Sequence, residues 1–314
     1  MPRIAVVQYP SVLLDRRATL ARAAEIVVEA GEHGAALVVF PETFIPGYPA
    51  WIWRLRPGTD MSLASELHER LVAESIDLSR DDLAPLRAAA CGRGVTVVCG
   101  IHERDASHSR TTLYNTCVVI GEGGEIVNRH RKLVPTSAER MVWGPGDATG
   151  LRVVETPCGR AGTLICWESY MPLARFALYA QGIELYVAPT WDAGDGWIGT
   201  LQHIAREGRC WVVGAGSSLR ASDIPETFPR RSELYPDLDE WLNPGDSVVI
   251  EPGGKIVAGP LRKEHGILYA EIDPSKVAVS RRSLDVAGHY ARPDVLQLVV
   301  NESAPAPVVF RRRE

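Results

Sequence analysis

The chain has 314 residues, 46% hydrophobic and 23% charged, enough apolar material for one large domain or two ordinary ones. Lys+Arg 34 against Asp+Glu 39 leaves a formal net charge of −5, so no basic field exists to draw phosphates, which argues against a nucleic-acid partner. No uncharged apolar window approaches the ~18 residues that would span a membrane. The opening MPRIAVVQYP lacks the apolar core and cleavage site of a signal peptide, and the six cysteines form no CxxC pair. Reduced thiols and a cytoplasmic location are expected.

In chain order, residues 4–8 are a short apolar run, and 15–34 place Leu20, Ala23, Ala24, Val27 and Val28 at helical spacing. Residues 35–40 are then continuously apolar up to Pro41-Glu42, which completes a strand–helix–strand unit with a parallel pair. Residues 48–80, with Tyr48, Trp51, Trp53, Arg54, Arg56 and Pro57, read as an insertion over the core. A helix over 83–93 stops at Gly92 and Gly94 and leads into a strand at 95–101; residues 115–120 and 125–133 form a hairpin about a Gly-rich turn.

The opening grammar then repeats. Residues 161–166 read as a strand, 172–180 as a helix with Pro172 at its start and Gly182 past its end, and 184–188 as a strand. A helix over 200–209 leads to an apolar run at 210–214. Residues 222–243 read as a second surface insertion, and 247–251 pairs with 255–258 around Pro252-Gly-Gly254. One domain over residues 1–290, with mixed sheets covered by helices, and a solvent-facing tail over 291–314 are expected.

Three polar residues end apolar strands: Glu42, Lys132 and Cys166. In helix-covered sheets ligands bind where strands end, so the three side chains can converge on one pocket. Cys166 lies between a buried strand and a helix, at a turn like a hydrolase nucleophile elbow. There the Trp167 and Glu168 N–H groups could stabilise negative charge, and the helix N-terminus would lower the thiol pKa. Each residue also has a bland reading. Cys166 could be a buried structural thiol, Glu42 a helix-start acid, and Lys132 part of a solvated hairpin arm. Glu139 fits a capping box with Thr136. His203 and Glu207, four apart, read as helix surface rather than metal ligands.

The combination decides. FPETFIPGYP at 40–49, RHRKLVPT at 129–136 and LICWESYMP at 164–172 occur in that order and resemble the three signature segments of the nitrilase superfamily. Glu139-Arg-x-x-Trp143-Gly-x-Gly146, and residues 186–192 followed by 203–210, resemble its nitrilase branch. The resemblance implies an α/β four-layer αββα sandwich with mixed β-sheets. It assigns Glu42 as general base and acid, Lys132 as stabiliser of the tetrahedral species, Cys166 as nucleophile and Glu139 as the residue that orders Lys132 or substrate. It further implies hydrolysis of a small organic nitrile to a carboxylic acid and ammonia, with no metal or organic cofactor. Aliphatic amide or cyanide hydrolysis at the same site, and a silent scaffold, are the alternatives. Ser169 and Trp191 depart from commoner family residues. Tyr48, Trp167 and Trp191 are the aromatics expected to wall the pocket, favouring aryl or arylaliphatic nitriles. Self-association as a dimer-based homo-oligomer, extending into a helical filament, is expected from Trp53, Leu55, Leu234, Tyr235 and Trp241 in the insertions and from the tail run Val308-Val-Phe310 with its terminal arginines.

Overall fold

Alternation along the central strands sets the architecture. On strand β1 (Arg3–Gln8) Ala5 and Val7 face one apolar cluster, while Ile4 and Val6 face another. A strand buried on both faces needs a layer on each, and this computed structural model, which describes residues 1–107, 109–304 and 308, supplies them.

Helix α1 (Arg16–Glu32) follows β1, with Asp15 Oδ1 accepting from the Ala18 N–H at 2.8 Å as its N-cap. Strand β2 (Ala35–Val39) lies parallel to β1. After helices α2 (Met61–Glu74) and α3 (Ala84–Arg93) come β3 (Thr96–Arg104), β4 (Leu113–Ile120) and β5 (Ile126–Arg131). The second half contributes β6 (Val154–Thr156), β7 (Gly159–Thr163), helix α4 (Pro172–Tyr179), β8 (Leu185–Thr190), helix α5 (Asp195–Gly208) and β9 (Trp211–Gly216). It continues with β10 (Ser218–Arg220), the short α6 (Arg231–Leu234), β11 (Trp241–Ile250), β12 (Ile256–Arg262), β13 (Gly266–Glu271) and α7 (Ser275–Arg281). One sheet runs β13-β1-β2-β3-β4-β5 and the other β10-β11-β9-β8-β7-β6, with β12 added on β11.

Leu20, Ala23 and Val27 of α1 and Leu86 of α3 cover the outer face of the first sheet. Tyr186, Ala188 and Val212 of the second sheet meet Leu178 of α4 and Leu201 and Ile204 of α5. Between the sheets Ile4, Val6, Leu37 and Val39 meet Leu185, Val187, Trp211 and Val213. The fold is the expected αββα sandwich of mixed sheets.

Three expectations are corrected. The helix placed at 200–209 starts five residues earlier, at Asp195, because Trp197 and Ile198 extend its buried face. Strand β13 and helix α7 went unread: β13 is half-buried along its length and carries no sharp alternation. The insertions are not independent flaps with exposed apolar groups. Leu234 and Tyr235 are buried, and they join Trp51, Leu63, Leu67 and Phe228 in one cluster shared by both insertions. Arg54 donates to the Leu234 carbonyl at 2.6 Å, and buried Asp60 accepts from both Arg56 and Arg230 at 2.9 Å. Trp53 alone of the five aromatic and aliphatic groups named above is largely exposed, at 47%. Val309, Phe310 and the terminal arginines lie outside the described residues.

Leu67 is fully buried in that shared cluster. Leu67→Ala is expected to cost about 2–5 kcal/mol in the main unfolding transition. A denaturant titration with an unchanged midpoint would mean that the insertions unfold apart from the core.

Candidate active site

Lys132 follows β5, and its backbone N–H continues the ladder by donating to the Asn115 carbonyl at 2.8 Å. Its side chain has no solvent exposure. Nζ lies 2.8 Å from Glu42 Oε1 and 2.7 Å from Glu139 Oε2. Burial alone would lower the lysine pKa, but Glu42, Cys166 and Glu139 together raise it above its ordinary value, so the ammonium is firmly charged.

Glu42 arrives from the end of β2. The segment there lies so close to Gly100 of β3 that a Cβ would collide with the backbone of Pro41 and Thr43, which makes glycine necessary at that position. Glu42 Oε1 also accepts from Asn115 Nδ2 at 2.7 Å, and Oε2 accepts from the Trp191 N–H at 2.7 Å. Burial, with Glu139 nearby, holds its pKa above 4.5 against the opposing pull of Lys132. Glu139 sits in a short turn (Ser137–Met141), where Oε2 accepts from the Thr136 N–H at 2.7 Å and Oε1 from the Tyr48 hydroxyl at 2.8 Å. Its capping role and its contact with Lys132 are therefore made by one carboxylate.

Cys166 is buried at the start of a 3₁₀ turn (Cys166–Tyr170), with φ +53°, in the left-handed region that a non-glycine residue rarely adopts. Such a conformation costs roughly 1–3 kcal/mol and gives the turn the shape of a nucleophile elbow. The thiol lies close enough to Glu42 and Lys132 to feel both charges, and the Thr190 side chain helps to hold its pKa down. Two expectations fail at this turn. Helix α4 starts only at Pro172, so no long helix dipole points at the sulfur. Burial and Glu42 instead push the thiol up to about 12, against Lys132 and Thr190. The Glu168 N–H, expected to face developing charge, donates to the Ile165 carbonyl at 3.2 Å. That leaves the Trp167 N–H.

The aromatics divide. Tyr48 and Trp191 stack face to face, 4.1 Å between centroids at 5°, and Trp53 Nε1 donates to the Tyr48 hydroxyl at 3.2 Å. Both rings join Glu42 in lining a cavity of about 20 Å³, room for roughly one water. Trp191 also lines a more open space of about 310 Å³ with Ala50, Trp53, Arg54 and Leu242. The Trp167 ring is half-exposed, donates to Asp192 Oδ2 at 2.8 Å, and borders a separate cleft with Val134, Arg140 and Met171. His203 lies 3.8 Å from Glu207, whose carboxylate is held by Arg175 and Tyr179, a helix-surface arrangement.

A carbon–nitrogen hydrolase family model matches residues 3–282. The chain belongs to that family. A bifunctional nitrilase/nitrile hydratase of Nicotiana tabacum is 39% identical over 98% of this chain and 88% of its own. An aliphatic nitrilase of Sinorhizobium fredii is 40% identical over 98% of each chain. Among solved structures, the NitFhit protein of C. elegans superposes with TM-score 0.72 at 23% identity, covering 98% of this chain and 68% of that one.

As a carbon–nitrogen hydrolase the chain carries more site residues than its motifs announce. Asn115, Thr190 and Asn243 were not singled out from the sequence. Asn243 holds the Trp191 carbonyl while the Trp191 N–H holds Glu42. None sits in a distinctive spacing: Thr190 ends β8 inside a segment that resembles the nitrilase branch, while Asn115 and Asn243 lie near the starts of β4 and β11 with no motif beside them. With the thiol at about 12, the thiolate fraction in the resting protein should rise roughly tenfold per pH unit from pH 7 to 10. Iodoacetamide alkylation of Cys166, followed by mass spectrometry in a Cys91→Ser background, should climb across that range without a plateau. A plateau below pH 8 would mean that the thiol is already ionised.

Proposed function

We propose that the protein is a nitrilase that converts an organic nitrile to its carboxylic acid and ammonia. The observation that carries the reading is the buried Glu42–Lys132–Glu139 cluster coupled to an elbow cysteine, in a chain about 39–40% identical to curated nitrilases over nearly its full length.

A nitrile carbon is a weak electrophile and calls for a sulfur nucleophile. Glu42 takes the Cys166 proton as sulfur attacks, and the negative charge that moves to nitrogen meets Lys132 and the Trp167 N–H. Glu42 returns the proton to nitrogen, giving a thioimidate. It then takes a proton from water as the water adds and passes it to the nitrogen, and transfer of the adduct's hydroxyl proton to the same nitrogen releases ammonia and leaves the thioester carbonyl. A second water cleaves the resulting thioester, so two waters are consumed per nitrile. Amide, the product if sulfur leaves before ammonia, belongs in the assay because several relatives are named for both nitrilase and nitrile hydratase activity.

Tyr48 and Trp191 are the walls in this reading, and Trp167, which borders a separate cleft, is left out of it. Trp191, stacked on Tyr48, also borders the open space of about 310 Å³, where its ring could meet an aryl group, which supports arylaliphatic over short aliphatic substrates. A cytoplasmic location belongs to the same reading, supported by six free cysteines. So does a dimer-based homo-oligomer that extends into a filament, supported by exposed Trp53 and by Val295, Leu296 and Val299 of the tail. Among the described residues, no helix is long and apolar enough to cross a membrane.

One arylaliphatic nitrile, its amide and cyanide, assayed in parallel for ammonia, test the substrate. The nitrile should be turned over best, and a preference for cyanide or the amide would overturn the proposal. Cys166→Ala should lose roughly 10⁴–10⁶ in rate while still folding, with Glu42→Gln and Lys132→Met close behind. Glu139→Gln should fold and turn over poorly, and Trp191→Ala should widen the accepted nitriles. In light scattering after size exclusion, the full chain should run larger than a monomer; an active monomer would remove the assembly from the reading.

A further inference from the structure

Glu168, two residues past the nucleophile, is absent from the mechanism above yet is as deeply buried as the residues in it. Its Oε1 accepts from the Leu133 N–H at 2.7 Å, and its Oε2 accepts from the Ile165 N–H at 2.6 Å. Leu133 directly follows Lys132, and Ile165 directly precedes Cys166. The first hydrogen bond reaches the end of β5 in one sheet, and the second the end of β7 in the other. His130, fully buried on β5, closes the arrangement with Nε2 at 3.0 Å from Oε2 and 3.2 Å from Oε1. His130 and the two N–H groups hold Glu168 below the ordinary carboxylate range, although burial opposes them. An ionised carboxylate only accepts, so Nε2 carries the proton and donates, which leaves the buried Nδ1 without a partner among the described residues.

We propose that Glu168, held by His130, is a positioning residue that fixes the spacing between Lys132 and Cys166 across the two sheets. One rigid carboxylate bonded to the neighbours of both residues lets neither strand end slide without breaking a short charge-assisted hydrogen bond. Beyond Arg131 and Thr163 each strand end keeps a backbone bond within its own sheet, Lys132 N–H to the Asn115 carbonyl at 2.8 Å and Leu164 N–H to the Val187 carbonyl at 3.3 Å, whereas Glu168 ties the two ends to each other. An unpartnered ring nitrogen is a standing cost that the clamp tolerates. The inference rests on the hydrolase reading only in using turnover as its readout, so whichever of nitrile or amide the wild-type protein hydrolyses serves.

Because the clamp touches neither Tyr48 nor Trp191, its loss should act on kcat and not on KM. Glu168→Gln turns an amide donor toward one of two backbone donors. It should lower kcat about 100-fold, as an ångström-scale misplacement does, with KM within about twofold. His130→Ala leaves the carboxylate with its two backbone donors and should lower kcat about tenfold. His130→Gln, which can still donate to Glu168, should recover part of that loss. Wild-type kcat in folded Glu168→Gln, or a loss expressed in KM, would overturn the proposal. If Glu168→Gln does not fold, the His130 pair decides: wild-type kcat in folded His130→Ala, or no recovery in His130→Gln, overturns it equally.

Discussion

A lysine ammonium with no access to water, held between two carboxylates, is the constraint around which the rest of the molecule is arranged. Removing three charges from water carries a penalty of several kcal/mol per ion, which mutual attraction offsets only if the remaining lone pairs are also met. They are met here by named groups from separate parts of the chain. Asn115 of β4 and the Trp191 N–H complete Glu42, while the Thr136 N–H and the Tyr48 hydroxyl complete Glu139. Taking away the lysine would leave two buried carboxylates facing each other. This explains why so much local structure, from the Gly100 close approach to the turn at Ser137–Met141, is devoted to holding three side chains still.

The same negative surroundings determine how the sulfur is used. Burial and Glu42 keep the thiol protonated, and burial also lifts Glu42, so both partners in the proposed proton transfer are displaced upward together. Transfer in the empty site would move the negative charge from the Glu42 carboxylate to a buried sulfur with no electrophile to receive it. When an electrophile is in place, the charge passes through sulfur to a nitrogen that Lys132 can face. In the proposed reaction the nucleophile is therefore created by the substrate, and a helix dipole at Cys166 is not required.

Much of this was legible in the sequence because chemistry and folding placed their signals in the same segments. Glu42 and Cys166 each terminate an apolar run, Lys132 ends a hairpin arm, and the unbroken apolar runs of β1 and β2 announce strands buried on both faces. What was not legible follows from long-range pairing. Strand β13 owes its existence to β1, some 260 positions away, with Arg3 opposite Glu271, and its own residues are half-buried without a pattern. The buried state of Leu234 and Tyr235 is invisible locally because the partner surface is supplied by the other insertion. Asn115 and Glu168 are polar residues whose roles depend on what arrives opposite them in space.

The two insertions, read from the sequence as additions over a finished core, are part of the electrostatic solution. From the first comes Tyr48, which hydrogen-bonds Glu139 and receives a bond from Trp53. At the edge of the second, Asn243 secures the Trp191 carbonyl, and through the same residue the N–H that holds Glu42. Tyr48 and Trp191 then stack on each other, so the wall of the cavity and the support of both carboxylates are one unit. Pocket shape and acid–base balance are consequently not separable variables in this chain. A change in either insertion large enough to move the Trp191 backbone disturbs that stacked wall and also removes a donor from Glu42, which raises an already elevated carboxyl further. Substrate range and the pH dependence of turnover should therefore shift together when these segments vary, while the sandwich beneath them stays the same.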